Sequence, residues 1–112
     1  MQVYQTIIHP ILYCFPKYNG RMPKIFYRAH AVQRMFERRI PLEKVRRALE
    51  VEDVVEDYSA ETPEPSRLLM GVQGRRPFHV VTSENPEADE VTVVTVYLPD
   101  VDKWKKDFRS RK

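Results

Sequence analysis

The stretch RLLMGVQGRRPFHVVTS, residues 67–83, decides the architecture of this chain. Two runs suited to strands, 67–73 and 76–83, flank Gly74-Arg75, and a glycine-bearing two-residue connection is the usual signature of an antiparallel hairpin. The second run alternates: Pro77, His79 and Val81 share one face, and Phe78, Val80 and Thr82 share the other. A hairpin with apolar residues on one face needs a layer to cover it, and the flanking sequence is patterned to supply one.

Upstream, Ala29, Val32, Phe36 and Ile40 fall within one quadrant at about 100° per residue, which reads as an amphipathic helix over 28–39 with that stripe inward. His30, Arg34, Glu37 and Arg38 share a different face. Pro41 interrupts, and Leu42, Val45, Ala48 and Leu49 restart the helical period. Proline is tolerated at a first helical position because the amide proton it lacks would have no intrahelical partner there. After Glu50 the period changes, and Val54, Val55 and Tyr58 suggest a short strand with acidic residues outside. Residues 59–66, with Pro63 and Pro65, read as a loop, and 83–89 as a polar turn. From Val91 to Val96 every residue is valine or threonine, so 91–98 reads as a strand that Pro99-Asp100 stops. Asp100 or Asp102 then caps a short helix through Trp104 to Phe108, with Trp104 as its anchor. The expected fold is α+β: two N-terminal helices, a four-stranded mainly antiparallel sheet and a short C-terminal helix.

At 112 residues the chain has room for one modest core, expected over 22–112. Residues 1–21 are expected to be an extension outside that domain, either a mis-set start or a loosely attached arm, the alternative being an extra strand. Their apolar stretch, 7–15, is broken by His9 and Pro10 and is too short to span a bilayer, so no membrane attachment is expected. The single cysteine, Cys14, allows no intramolecular disulfide and points to a reducing, cytoplasmic compartment. His9, His30, His79 and Cys14 lack zinc-ligand spacing, so neither a metal nor another cofactor is expected. A net charge of +3 is mildly basic, but the charge is segregated. Seven basic residues lie between Arg28 and Arg47, the charged residues of 52–64 are all acidic, and 103–112 is basic again.

His30-Ala31, Arg34-Met35 and Glu37-Arg38-Arg39-Ile40 resemble the opening pattern of the bacterial family called domain of unknown function 4258. Pro65 to Gly71, Arg76 to Val81 and Thr95 to Asp100, with Trp104 close behind, continue the resemblance over about residues 26–112. Pro41 departs from it, since the family more often has serine or threonine there. The resemblance implies an element order like that of RelE/ParE-like toxins. It thereby implies a metal-independent endoribonuclease of a type II toxin–antitoxin pair, acting on RNA or at the ribosome and held silent by a zinc-finger-type antitoxin.

Metal-free RNA cleavage needs a base, an acid and cations on the charged phosphorane. His79 is the first candidate for proton transfer, because histidine titrates near neutrality. His30 is a second carrier, Arg34 a phosphate clamp, and Tyr97 an aromatic near the cut base, a role the toxin resemblance implies. Arg38, Arg75 and Arg76 are candidate RNA or phosphate contacts. His30 and His79 are expected to meet in one pocket with Arg34 between them. Each residue also has a structural reading, and for His79 it is a sheet histidine bonded to a neighbouring carbonyl. The functional alternative to the nuclease is a non-catalytic module that binds protein or nucleic acid through its basic face.

Overall fold

The computed structural model describes residues 22–60 and 64–112, so the expectation for residues 1–21 and the centre of the 59–66 loop lie outside the described residues. The chain runs β1 (Lys24–Tyr27), α1 (Ala29–Arg38), α2 (Leu42–Val51), β2 (Val54–Asp57), β3 (Ser66–Gln73), β4 (Arg76–Asn85), a 3₁₀ turn at Pro86–Ala88, and β5 (Glu90–Tyr97). All strands join one sheet in the order β1-β5-β4-β3-β2. The hairpin forms as read: β3 and β4 pair from Ser66↔Ser83 to Gln73↔Arg76 around Gly74, whose φ of 63° suits glycine.

Both helices cover one face of the sheet, α1 against β5 and α2 against β3. Ala31, Met35, Ile40, Val45, Ala48 and Leu49 pack there with Leu69, Phe78, Val80, Val91, Val93 and Val96. Phe78 lies over Gly71, its partner across the β3–β4 ladder. A Cβ built on Gly71 would stand 2.3 Å from the Phe78 ring, so the ring occupies space that only glycine leaves open. Further along β4, Arg67 and Glu84 form a buried ion pair at 2.6 Å, and Glu52, the residue closing α2, joins it at 3.5 Å.

Several features differ from the expectations. The sheet has five strands and is mixed, because β1 pairs in parallel with β5 from Lys24↔Glu90 to Tyr27↔Val93. β1 has only four residues, too few for a period to register, and pairing with the valine-rich β5 stabilises it. Next, no C-terminal helix forms. One helical turn begins, with the Trp104 amide bonded to the Asp100 carbonyl at 3.0 Å, but the chain then folds back so that Trp104 pairs with Arg111. So short a helix is marginal alone, and tertiary anchors outweigh it. Last, the buried stripe of α1 is Ala31 and Met35, while Val32 and Phe36 face solvent. The helix ends at Arg38, and the left-handed Arg39 (φ 56°) turns the chain so that Ile40 reaches the core from outside the helix. The expected face was displaced because Val32 and Phe36 are apolar yet exposed, whereas Ala31, which seats the helix, is small. Pro41 precedes α2 in an extended conformation and is not its first helical residue.

The β4–β5 ladder slips at Val81/Thr82, and beside that bulge the Thr82 hydroxyl is buried without a hydrogen-bond partner. Thr82→Val is expected to raise stability by about 1 kcal/mol by removing an unsatisfied buried group. Gly71→Ala is expected to cost about 1–3 kcal/mol through overpacking against Phe78. Urea unfolding midpoints of the two variants check both.

Candidate functional site

His79 does not face the helices. Strand alternation sends its ring to the opposite face of the sheet, where residues 99–112 run across it as a strap. Its side chain is 0% exposed. Nε2 donates to the Phe108 carbonyl at 2.9 Å, and Nδ1 lies 3.2 Å from the Tyr97 hydroxyl. Trp104 packs edge-on against the imidazole with centroids 4.7 Å apart. Burial pushes the pKa of His79 below its ordinary value, against the opposing pull of the Phe108 carbonyl and Glu56. The ring is therefore the neutral Nε2–H tautomer, and Nδ1 accepts the Tyr97 proton.

Two arginines pin the strap to the edge strand β2 and the residue before it. Arg109 donates to Asp53 at 2.8 Å, and Arg111 grips Glu56 with two bonds at 3.0 and 3.1 Å. Arg111 also lies over the Trp104 ring, 4.5 Å from its centroid. These bonds hold the carboxyls of Asp53 and Glu56 below their usual range, and the Tyr58 hydroxyl donates to Glu56.

His30 and Arg34 sit exposed on α1, which lies on the other side of the sheet. The expected composite pocket therefore does not form: the sheet separates His30 and Arg34 from His79. Arg34 pairs with Glu37 at 3.5 Å on the helix surface. Tyr97 does join His79, but half-buried beneath the strap.

The phosphate candidates fare differently. Arg76 donates to the Arg38 carbonyl at 2.8 Å and to Gln73 at 3.2 Å. A cation on the last carbonyl of a helix is favourable against the helix dipole. This bond brings the tip of the β3–β4 hairpin, with Arg75, to the end of α1, beside Arg38 and Arg39. Among the described residues none of these four arginines forms an ion pair. By contrast, the open groove beside α2 mixes Lys44, Arg46 and Arg47 with Glu43 and Glu50, and Arg46 pairs with Glu50 at 3.7 Å. Among the described residues no three His, Cys, Asp or Glu side chains gather as a metal site would require.

Sequence reasoning missed the strap anchors Asp53, Glu56, Arg109 and Arg111. The signal was present in the acidic block at 52–64 and the basic tail at 103–112, yet it does not say which basic block the acids would meet.

His79→Ala is expected to free the strap, because it orphans the Phe108 carbonyl and the Tyr97 hydroxyl at about 1–3 kcal/mol each. Trp104 is the sole tryptophan, so a red shift of its emission and faster tryptic cleavage at Lys105-Lys106 report the release. The pH dependence has a definite sign. The folded pKa of His79 lies below the ordinary 6.5, so the unfolded chain binds the proton more readily. Stability is full above about pH 7.5 and falls as the pH drops through 6.5 toward the folded value. Asp53 and Glu56 lose their contributions only below their ordinary values of 3.8 and 4.5, a separate window. Thermal melts from pH 8 to 5 are expected to fall more steeply in the parent than in His79→Gln.

No helix among the described residues is long and apolar enough to cross a membrane. No curated protein and no solved structure matches the chain. The profile described as Domain of unknown function (DUF4258) matches residues 27–98, which takes in every element from α1 to β5 and leaves the strap outside. On that match over most of its length, the chain belongs to the domain of unknown function family DUF4258.

Proposed function

We propose that this domain binds nucleic acid electrostatically, through the arginine corner where α1 ends and the β3–β4 hairpin turns. The observation that carries this reading is the distribution of paired charge. The C-terminal arginines are spent on Asp53 and Glu56, and Arg67 is spent on Glu84 and Glu52. The Arg76 bond to the Arg38 carbonyl brings Arg38, Arg39, Arg75 and Arg76 to one corner of the fold, and no carboxylate is bonded to any of them among the described residues. Clustered arginines without a protein counterion suit phosphate oxygens.

The geometry favours this binding module over the metal-independent endoribonuclease that the toxin resemblance implies. His79 has both ring nitrogens engaged inside the protein and no exposed surface, so in this conformation it has no access to a 2′-hydroxyl. Its second proton carrier, His30, lies across the sheet. The binding reading needs neither.

Arg39 and Arg75 have exposed side chains that make no hydrogen bond or ion pair among the described residues, so removing both leaves the fold intact. Arg39→Ala/Arg75→Ala is expected to lower affinity for a mixed-sequence RNA. It should also reduce the slope of log K against log salt by about 0.7 per lost phosphate contact on single strands. Fluorescence anisotropy between 50 and 200 mM salt measures both. Cleavage of that RNA in EDTA by the parent, lost in His79→Gln, would instead favour the nuclease.

A further inference from the structure

We infer that the sheet face beneath the strap is a docking site that the strap closes in cis, and that the partner it fits is a second copy of this chain exchanging its own strap. This inference is independent of the nucleic-acid reading above. Residues 103–112 are folded on themselves. The Lys105 amide donates to the Ser110 carbonyl at 2.8 Å, and the Lys112 amide to the Lys103 carbonyl at 3.0 Å. Phe108, in the left-handed region at φ 59°, helps turn the chain between them, and the Arg111 guanidinium lies over the Trp104 ring. The strap is therefore a small hairpin with a shape of its own. Among the described residues no backbone-to-backbone hydrogen bond joins it to the sheet. Its attachment runs through side chains: His79 to the Phe108 carbonyl, Arg109 to Asp53, Arg111 to Glu56, and Trp104 against the imidazole.

A self-folded hairpin held by side chains is attached as a peptide ligand is to its receptor. The tether sets its effective concentration at roughly millimolar, so the site is closed to other occupants while cis docking is intact. The two ion pairs are the separable part of the closure. Arg109 and Arg111 have side chains 44% and 53% exposed, and pairs so exposed are weak and screened by salt. What the site recognises is written in its present occupant. It takes an aromatic ring against His79, a carbonyl for the Nε2 proton, and two guanidinium groups two residues apart for Asp53 and Glu56. A second copy carries that whole set, and exchange of an identical terminal element needs no new contact. Residues 99–102, which open with Pro99, connect β5 to the hairpin and provide the hinge.

The full chain is prepared in two charge-reversed forms. In Arg109→Glu/Arg111→Glu the strap and the site are both acidic at the paired positions, and in Asp53→Lys/Glu56→Lys both are basic. Each form alone is expected to release its strap, seen as a red shift of emission from Trp104, the sole tryptophan, and to sediment as a monomer. Mixed in equal amounts at low salt, each strap matches the other chain's site. The sedimenting mass is then expected to double and the emission to return to the parent's. The chain carrying all four substitutions is expected to be a closed monomer with parental emission. A mixture that keeps the monomer mass would overturn the inference, as would parental emission from either form alone. Should a charge-reversed form lose its far-ultraviolet circular dichroism, Arg109→Gln/Arg111→Gln takes its place, probed with a fluorescein-labelled peptide of residues 99–112. The peptide is expected to bind that variant about tenfold or more tightly than the parent, whose tethered strap holds the site. Equal binding to the two, or no binding to the variant, would overturn the inference.

Discussion

β4 has no free face, and the rest of the molecule is arranged around that constraint. Phe78 and Val80 point into the helix layer, whereas His79, between them, points into the strap. Its neighbours β3 and β5 occupy both edges, so every direction from β4 is filled. The helix side is closed by ordinary apolar packing, with Phe78 fitted over the bare backbone of Gly71. The strap side is closed by a polar side chain, which is costly unless each of its groups is bonded. His79 meets that requirement with one donated and one accepted bond, and the strap provides the carbonyl that takes the first. An imidazole that ties down fourteen C-terminal residues is a fastening of the fold.

The same arrangement governs the charge. Glu56 and Asp53 lie where the strap ends, so they meet Arg111 and Arg109 and not the basic helices. Exposed pairs of this kind contribute little singly, but here they flank a buried tryptophan and a buried histidine and share in one closure. With those acids spent, the arginines of the β3–β4 hairpin tip and the end of α1 have no carboxylate partner among the described residues. There the hairpin tip is drawn to the end of α1 by the Arg76 bond to the Arg38 carbonyl. The two groups of arginines that the sequence presents far apart thus become one corner, while His30 and His79, expected to share one pocket, end on opposite sides of the sheet. Closure belongs to the strap side of the sheet, whereas the arginine corner that we propose as the binding surface lies at the end of α1.

Much of the fold was legible because it is local. Gly74-Arg75 between two strand-forming runs defines the hairpin, and the valine–threonine run at 91–96 defines the last strand. Pro41 between two helical periods defines the corner. The α1 face was misread because Phe36 and Val32 carry the same hydrophobic signal as core residues although they are exposed. Ala31, which does seat the helix, is too small to stand out in a pattern. β1 was missed because four residues carry no period. The C-terminal helix was expected from Asp100 and Trp104, which do begin a helical turn, but nothing local reveals that Phe108, Arg109 and Arg111 have partners on distant strands.

From sequence alone, then, come the helices, the hairpin, the last strand, the segregated charge and the family resemblance, since each depends on residues close together in the chain. Only tertiary structure decided which face of β4 the histidine takes, which acids the basic tail meets and which arginines are left without a counterion. Those outcomes depend on pairs separated by some 20 to 60 positions, such as His79 with Phe108 and Asp53 with Arg109, and on a sheet that stands between side chains of matching chemistry. Spacing along the chain carries no information about which side of a sheet two such residues will share.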